Sequence, residues 1–176
     1  SMVNFFLHKK SSVNGFTLVE MVLYVSVCAI ILLSLSTFLS FLLSSRVKSQ
    51  AISEVNQQGF QVMNLITETV RNGRSIQTPA IGVSSSTLSL TTAYPLLNPT
   101  IFSLSSTTLM VKEGSGNSIA LTNSRVRVSS LVFQNVSSAS SSEKVLRISY
   151  TIDYINQQGR VEYTYGKTFS GSATIH

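Results

Sequence analysis

The sequence predicts an α+β protein, with a long N-terminal α-helix, membrane-spanning in its first half, packed against a C-terminal antiparallel β-sheet head. Three features carry that expectation. No charged residue occurs from Met21 to Ser45, and ~20 apolar residues are enough for a helix to cross the hydrocarbon core of a bilayer. Val55, Gly59, Val62, Ile66 and Val70 then recur at steps of four, three, four and four, which is one apolar face of an amphipathic helix. Beyond Gly73, Ser and Thr become dense and apolar residues alternate with polar ones, the two-residue period of half-buried strands.

From Phe16 to Ser45 the only charge is Glu20. Lys9 and Lys10 lie just before this stretch and, by the positive-inside rule, hold the N-terminus in the cytoplasm; Arg46 and Lys48 on the far side pull the other way. Val47 to Val70 contains no proline and many good helix formers, so the helix is expected to run on from the apolar segment. Asn72-Gly73 supplies its stop. A continuous helix from Phe16 to Asn72 would be ~85 Å long. The apolar stripe from Val55 to Val70 reads as core packing, with Gly59 allowing a close approach or a bend.

In the second half, strands are expected over 87–92, 100–104, 108–112, 118–122, 125–128, 131–136, 144–154 and 160–169. Glu113-Gly114-Ser115-Gly116-Asn117 reads as a hairpin turn, and Asn156-Gln157-Gln158-Gly159 as another between the two long C-terminal strands. Leu146, Ile148, Tyr150, Ile152 and Tyr154 share one face of their strand, while Arg147, Ser149, Thr151 and Asp153 share the other. Residues 137–142, almost all serine, read as an exposed loop.

Composition excludes several chemistries. Among 176 residues there are one Cys and two His, and Asp153 is the only aspartate. A disulfide within the chain is impossible, and His8, Cys28 and His176 are too few and too scattered for a zinc site. Carboxylates are too sparse for a calcium cluster or a hydrolytic pair. The serines have no histidine placed to activate them. No catalytic residue, metal site or cofactor is expected, and Cys28 reads as a small hydrophobe of the membrane run.

A cleaved secretory signal would have an apolar core of roughly 7–15 residues and a small-x-small cleavage site. Here the apolar run is longer and passes directly into Ser44-Ser45-Arg46-Val47-Lys48. The stretch before it is more informative. Lys9-Lys10-Ser11-Ser12-Val13-Asn14 is a short basic leader, followed by Gly15-Phe16-Thr17-Leu18-Val19-Glu20 and then the apolar run. This combination resembles the type IV pilin family, including the pseudopilins of type II secretion, whose precursors carry Gly-Phe-Thr-Leu-x-Glu behind a basic leader. The resemblance covers the first ~45 residues and rests on motif, leader and apolar run occurring together.

That resemblance implies processing by a prepilin peptidase between Gly15 and Phe16, then N-methylation of Phe16. Gly at the cleavage site suits an enzyme that must admit an extended backbone. Removal of Lys9 and Lys10 brings the net charge from +6 to +4. The segments are then a leader over 1–15, a transmembrane and assembly half over 16–45, an amphipathic half over 46–73 and a β-rich head over 74–176. Glu20 has two readings from its residues alone: a carboxylate near the interface that reaches water, or a functional charge in the membrane. The resemblance implies the second, since Glu20 would be the fifth mature residue, which neutralises the terminal ammonium of a neighbouring subunit during assembly. The tip-most K-type pseudopilin usually lacks this glutamate. Many major pilins carry a proline midway along the apolar half, where this chain has Leu35-Ser36-Thr37-Phe38.

The order of the later elements, and Leu121-Thr122-Asn123-Ser124-Arg125-Val126-Arg127-Val128-Ser129-Ser130-Leu131-Val132-Phe133 in particular, is similar to W-type minor pilins and J-type pseudopilins. It implies a head of two small antiparallel sheets. Arg125 and Arg127, two apart on one strand, together with Arg147, form a candidate basic patch, and Lys112, Lys144 and Arg160 are further basic residues of the head. Such a patch reads either as a solvated sheet face or as a DNA-capturing stripe.

The function expected is therefore that of a minor pilin or pseudopilin, a structural subunit that helps initiate or cap a pilus or pseudopilus. Its expected place is the cytoplasmic membrane, single-pass with the head outside, or an extracellular pilus. Its partners would be the prepilin peptidase, sister subunits contacted through the N-terminal helix, and the membrane. A tip adhesin or DNA-uptake pilin, an unassembled membrane-anchored binding protein and a major pilin are the alternatives.

Overall fold

A computed structural model of the chain describes residues 17–156 and 164–175. Gly15, Phe16, His8, His176, Arg160 and the turn residues Gln157, Gln158 and Gly159 lie outside the described residues. The chain divides into two compact units, Ser1–Leu43 and Ser44–His176. One helix, α1 (Leu18–Arg71), contributes to both and is uninterrupted for 54 residues. Its continuity follows from the sequence, which puts no proline between Leu18 and Arg71. The single midway glycine, Gly59, costs only ~1 kcal/mol of helix propensity.

In the first unit every residue of α1 from Met21 to Leu43 is exposed. The hydroxyls of Ser26, Thr37 and Ser40 turn back onto the carbonyls of Val22, Leu33 and Ser36 at 2.7, 3.1 and 3.0 Å. Each is thereby satisfied within the helix, which is the arrangement that lets a hydroxyl face hydrocarbon at low cost.

The second unit contains the rest of α1 and, among the described residues, nine strands: β1 (Gly73–Thr78), β2 (Ser84–Ser85), β3 (Leu88–Thr92), β4 (Thr100–Ser105), β5 (Thr108–Glu113), β6 (Ile119–Ala120), β7 (Val126–Asn135), β8 (Lys144–Tyr154) and β9 (Gly166–Ile175). They form two antiparallel sheets, of order β1-β3-β4-β5-β6 and β2-β7-β8-β9. The α+β class and the two-sheet head agree with expectation. The helix stripe is also as expected: Val55, Gly59, Val62, Ile66 and Val70 are all buried, and Ala51 extends it by one turn. Val55, Val62, Ile66 and Val70 join one core with Leu88, Leu90 and Phe102 of the five-stranded sheet and Phe133, Ile148 and Tyr150 of the four-stranded sheet.

Several strands differ from expectation for identifiable reasons. β1 and β2 were not expected, because each is a polar edge strand and Ile76 is the only large apolar residue of β1. The segments 125–128 and 131–136 are one strand, β7. Its pairing with β8 shifts between Ser129 and Val132, and Ser130 takes a left-handed φ of 53°. That one-residue bulge resets the alternation, so Val126 and Val128 before it and Leu131 and Phe133 after it all face the core. β9 runs to Ile175 rather than ending at Phe169 because Ala173 and Ile175 continue its buried face. Gly171 sits on that face, where a Cβ would lie 2.9 Å from the Met63 sulfur. β6 is shorter than 118–122, since the Thr122 hydroxyl leaves the strand to accept from the Leu109 N–H at 3.2 Å. Ser137 is buried rather than part of an exposed loop: its N–H donates to the Asn135 side chain at 3.2 Å and its hydroxyl accepts from the Val145 N–H at 2.9 Å.

The helix meets the four-stranded sheet most closely at Gly59. The Phe169 ring occupies the place a Cβ would take there. The Tyr150 hydroxyl donates to the Gly59 carbonyl at 2.8 Å, and Phe169 stacks on Tyr150 with centroids 5.8 Å apart. The Lys167 ammonium lies 5.3 Å from the centroids of both Phe60 and Phe169 and donates to Asn56 at 2.9 Å, which closes the rim of this contact. Burial pushes the Tyr150 phenol above its usual range, and a backbone hydrogen bond from Met63 offsets this only in part.

Two outcomes follow from this contact. In a solvent-exposed helix Gly59→Ala would stabilise by ~1 kcal/mol, whereas here overpacking against Phe169 should reverse the sign and cost roughly 1–3 kcal/mol. Denaturant unfolding of the detergent-solubilised chain reads that sign. Tyr150→Phe should cost about 1 kcal/mol near neutral pH through the lost hydrogen bond. The wild-type contribution is full below pH ~10, where the unfolded phenol titrates. Above it the unfolded state loses a proton that the folded state keeps, so stability falls by up to ~1.4 kcal/mol per pH unit. The gap between wild type and Tyr150→Phe should therefore narrow as pH rises past that point, as measured by unfolding midpoints across pH.

Candidate functional site

The candidate site lies in the first turns of α1, at the edge of the apolar segment. Thr17 precedes the helix, and its hydroxyl accepts from the Glu20 N–H at 3.2 Å. This is an N-cap, and with Glu20 three residues on it has the spacing of a capping box. Glu20 is the only charged residue from Thr17 to Ser45. Tyr24, one turn later, donates its hydroxyl to Glu20 Oε1 at 3.1 Å. Glu20 is marked in the sequence by its charge; Thr17 and Tyr24 are marked only by the Thr-x-x-Glu pattern and the four-residue spacing to Tyr24.

Around this polar spot the helix surface is apolar and uncovered. Leu18, Val19, Val22, Leu23 and Val25 are each more than half exposed. A monomeric soluble protein rarely leaves so large a contiguous apolar surface open, and such surfaces mark membrane or protein contact. The helix is long and apolar enough to cross a membrane and lies near the N-terminus. Cys28 is exposed on this same segment, as a free thiol. The proposed processing residues Gly15 and Phe16 lie outside the described residues.

The three arginines of the candidate basic patch sit in different surroundings. Arg125 lies 3.6 Å from Glu54 of α1, whose other carboxylate oxygen accepts from Asn123 at 2.6 Å. Arg127 is opposite Asp153 in the β7–β8 register, next to an acidic partner. Arg147 is opposite Gln134 on one side and Ser172 on the other. Since Asp153 and Arg147 are six positions apart on β8, Arg127 and Arg147 are separated by ~20 Å along the sheet. Lys144 donates to the Ser141 carbonyl at 3.0 Å. The fold thus spreads these cations and sets two of them against carboxylates.

A cavity of about 320 Å³ opens where β7 begins and β8 ends, lined by Arg127, Asp153, Tyr154, Asn156 and Tyr165 among others. Among the described residues no group of three His, Cys, Asp or Glu side chains is placed to hold a metal ion. Compared with known protein families, curated proteins and solved structures, the chain has no significant match.

Proposed function

We propose that this chain is a minor type IV pilin or pseudopilin: a membrane-anchored structural subunit, matured by a prepilin peptidase, that helps initiate or cap a filament. The observation that carries the reading is the placement of Glu20. It follows Gly15-Phe16-Thr17-Leu18-Val19 behind a basic leader, and it is a lone carboxylate at the head of an uncovered apolar helix. Cleavage after Gly15 would put a new ammonium at Phe16, one residue before the helix cap at Thr17.

In this reading the helix first spans the cytoplasmic membrane, with the leader in the cytoplasm and the head on the other side. Lipid and a neighbouring apolar helix are comparable surroundings for Leu, Ile and Val, so leaving one for the other costs little. Glu20 supplies direction. In a low-dielectric bundle its carboxylate is strongly disfavoured alone and strongly favoured beside a neighbour's ammonium. The pair therefore selects the stagger at which one subunit's start meets another's Glu20. The uninterrupted helix is compatible with a subunit that docks without the unwinding that a midway proline would permit.

The test is Glu20→Gln in the native host. Glutamine keeps the shape and the helix but removes the charge. Membrane levels of the chain should be unchanged, and its recovery in sheared surface filaments, or its cross-linking to sister subunits, should fall at least ~10-fold, as expected when one partner of a buried ion pair is deleted. Unchanged incorporation would overturn the reading.

A further inference from the structure

We propose that Tyr24 is a positioning residue for Glu20: its phenol holds one carboxylate oxygen so that the other is presented to a cation arriving from a neighbouring subunit. This rests on the assembly reading of Glu20. The two side chains are one helical turn apart, and the Tyr24 hydroxyl donates to Glu20 Oε1 at 3.1 Å. The Glu20 N–H is fixed to the Thr17 hydroxyl at 3.2 Å, so the backbone that carries the carboxylate is pinned from the other side.

The chemistry favours this pairing on both partners. An ionised carboxylate has about four acceptor positions, and in an apolar layer each unmet position is costly. Three other hydroxyls of the segment serve their own helix: Ser26 donates to Val22, Thr37 to Leu33 and Ser40 to Ser36. Tyr24 is the side chain of this segment whose hydroxyl reaches Glu20. On an apolar surface the phenol itself is a liability unless it is hydrogen-bonded, and a phenylalanine would suit the helix better. A charge-assisted O–H···O⁻ bond restricts the rotamers of the carboxylate. A carboxylate fixed in this way meets an incoming ammonium with less loss of side-chain freedom.

The experiment uses the full-length chain with four versions: wild type, Tyr24→Phe, Glu20→Gln and the double variant. Incorporation into filaments, or cross-linking to sister subunits, is normalised to the amount in the membrane. In parallel, the [13C]Glu-labelled chain in phosphatidylethanolamine/phosphatidylglycerol vesicles is measured by solid-state NMR. The Glu20 carboxyl resonance is identified by its absence in Glu20→Gln. Tyr24→Phe should shift that resonance and lower incorporation at least ~10-fold, in line with loss of one hydrogen bond to a charged group. It should add no further loss to Glu20→Gln. An unshifted resonance, unchanged incorporation in Tyr24→Phe, or an equal further loss in the double variant would overturn the positioning role. Normal incorporation of Glu20→Gln would instead remove the assembly reading on which it rests, even where the resonance shifts.

Discussion

The head is organised by one close approach, that of the Gly59 backbone to the four-stranded sheet. A helix carrying a side chain at that point could not approach so near, because the Phe169 ring fills the space. Tyr150 spans the same gap with a hydrogen bond to the Gly59 carbonyl and is itself fully buried. Neighbouring features are adjusted to this contact: Gly171 makes room for Met63, and Lys167 covers the two Phe rings from the rim. Interiors packed at this density behave as rigid bodies, so residues 51–70 of α1 are held as part of the head. Among the described residues, the helix segment 21–43 is exposed throughout. One continuous helix thus carries two surfaces written for two surroundings.

That division explains why the few polar groups of the first segment matter. Three hydroxyls are turned inward onto their own helix, which leaves Glu20 as the one feature of the segment with a charge. Capped from Thr17 and bonded by Tyr24, it is a defined group rather than a freely moving one. In the proposed assembly this gives an otherwise uniform apolar rod a unique point of registration. The head's own charges are arranged differently: Arg125 lies beside Glu54 and Arg127 opposite Asp153, so its basic residues are dispersed over the surface.

Much of this organisation is legible from residue types. The stripe from Val55 to Val70 is visible because every member is apolar or glycine and the steps follow the helical period. Val126, Val128, Leu131 and Phe133 announce a buried face in the same way. The parity change between them is hidden, because it depends on Ser130 adopting a left-handed φ, a conformation no side-chain pattern encodes. β1 and β2 are silent because they are polar edge strands, paired to β3 and β7, with no alternating apolar face to announce them. Ser170-Gly171-Ser172 reads as a strand end, yet the strand passes through to Ala173 and Ile175, with Met63 packed against Gly171. At the candidate site Glu20 stands out as a charge in an apolar run. Its companions are quieter: Thr17 and Tyr24 carry only a Thr-x-x-Glu pattern and a four-residue spacing, which point to the site once the helix start is fixed between Thr17 and Leu18.

The most direct measurement is the N-terminal mass and sequence of the chain recovered from its native membrane. An N-methylated phenylalanine at Phe16, with the leader absent, is the expected result and would place the chain on the pilin maturation pathway. A chain that still carries the residues before Gly15 would contradict it, and the helix would then be a plain membrane anchor.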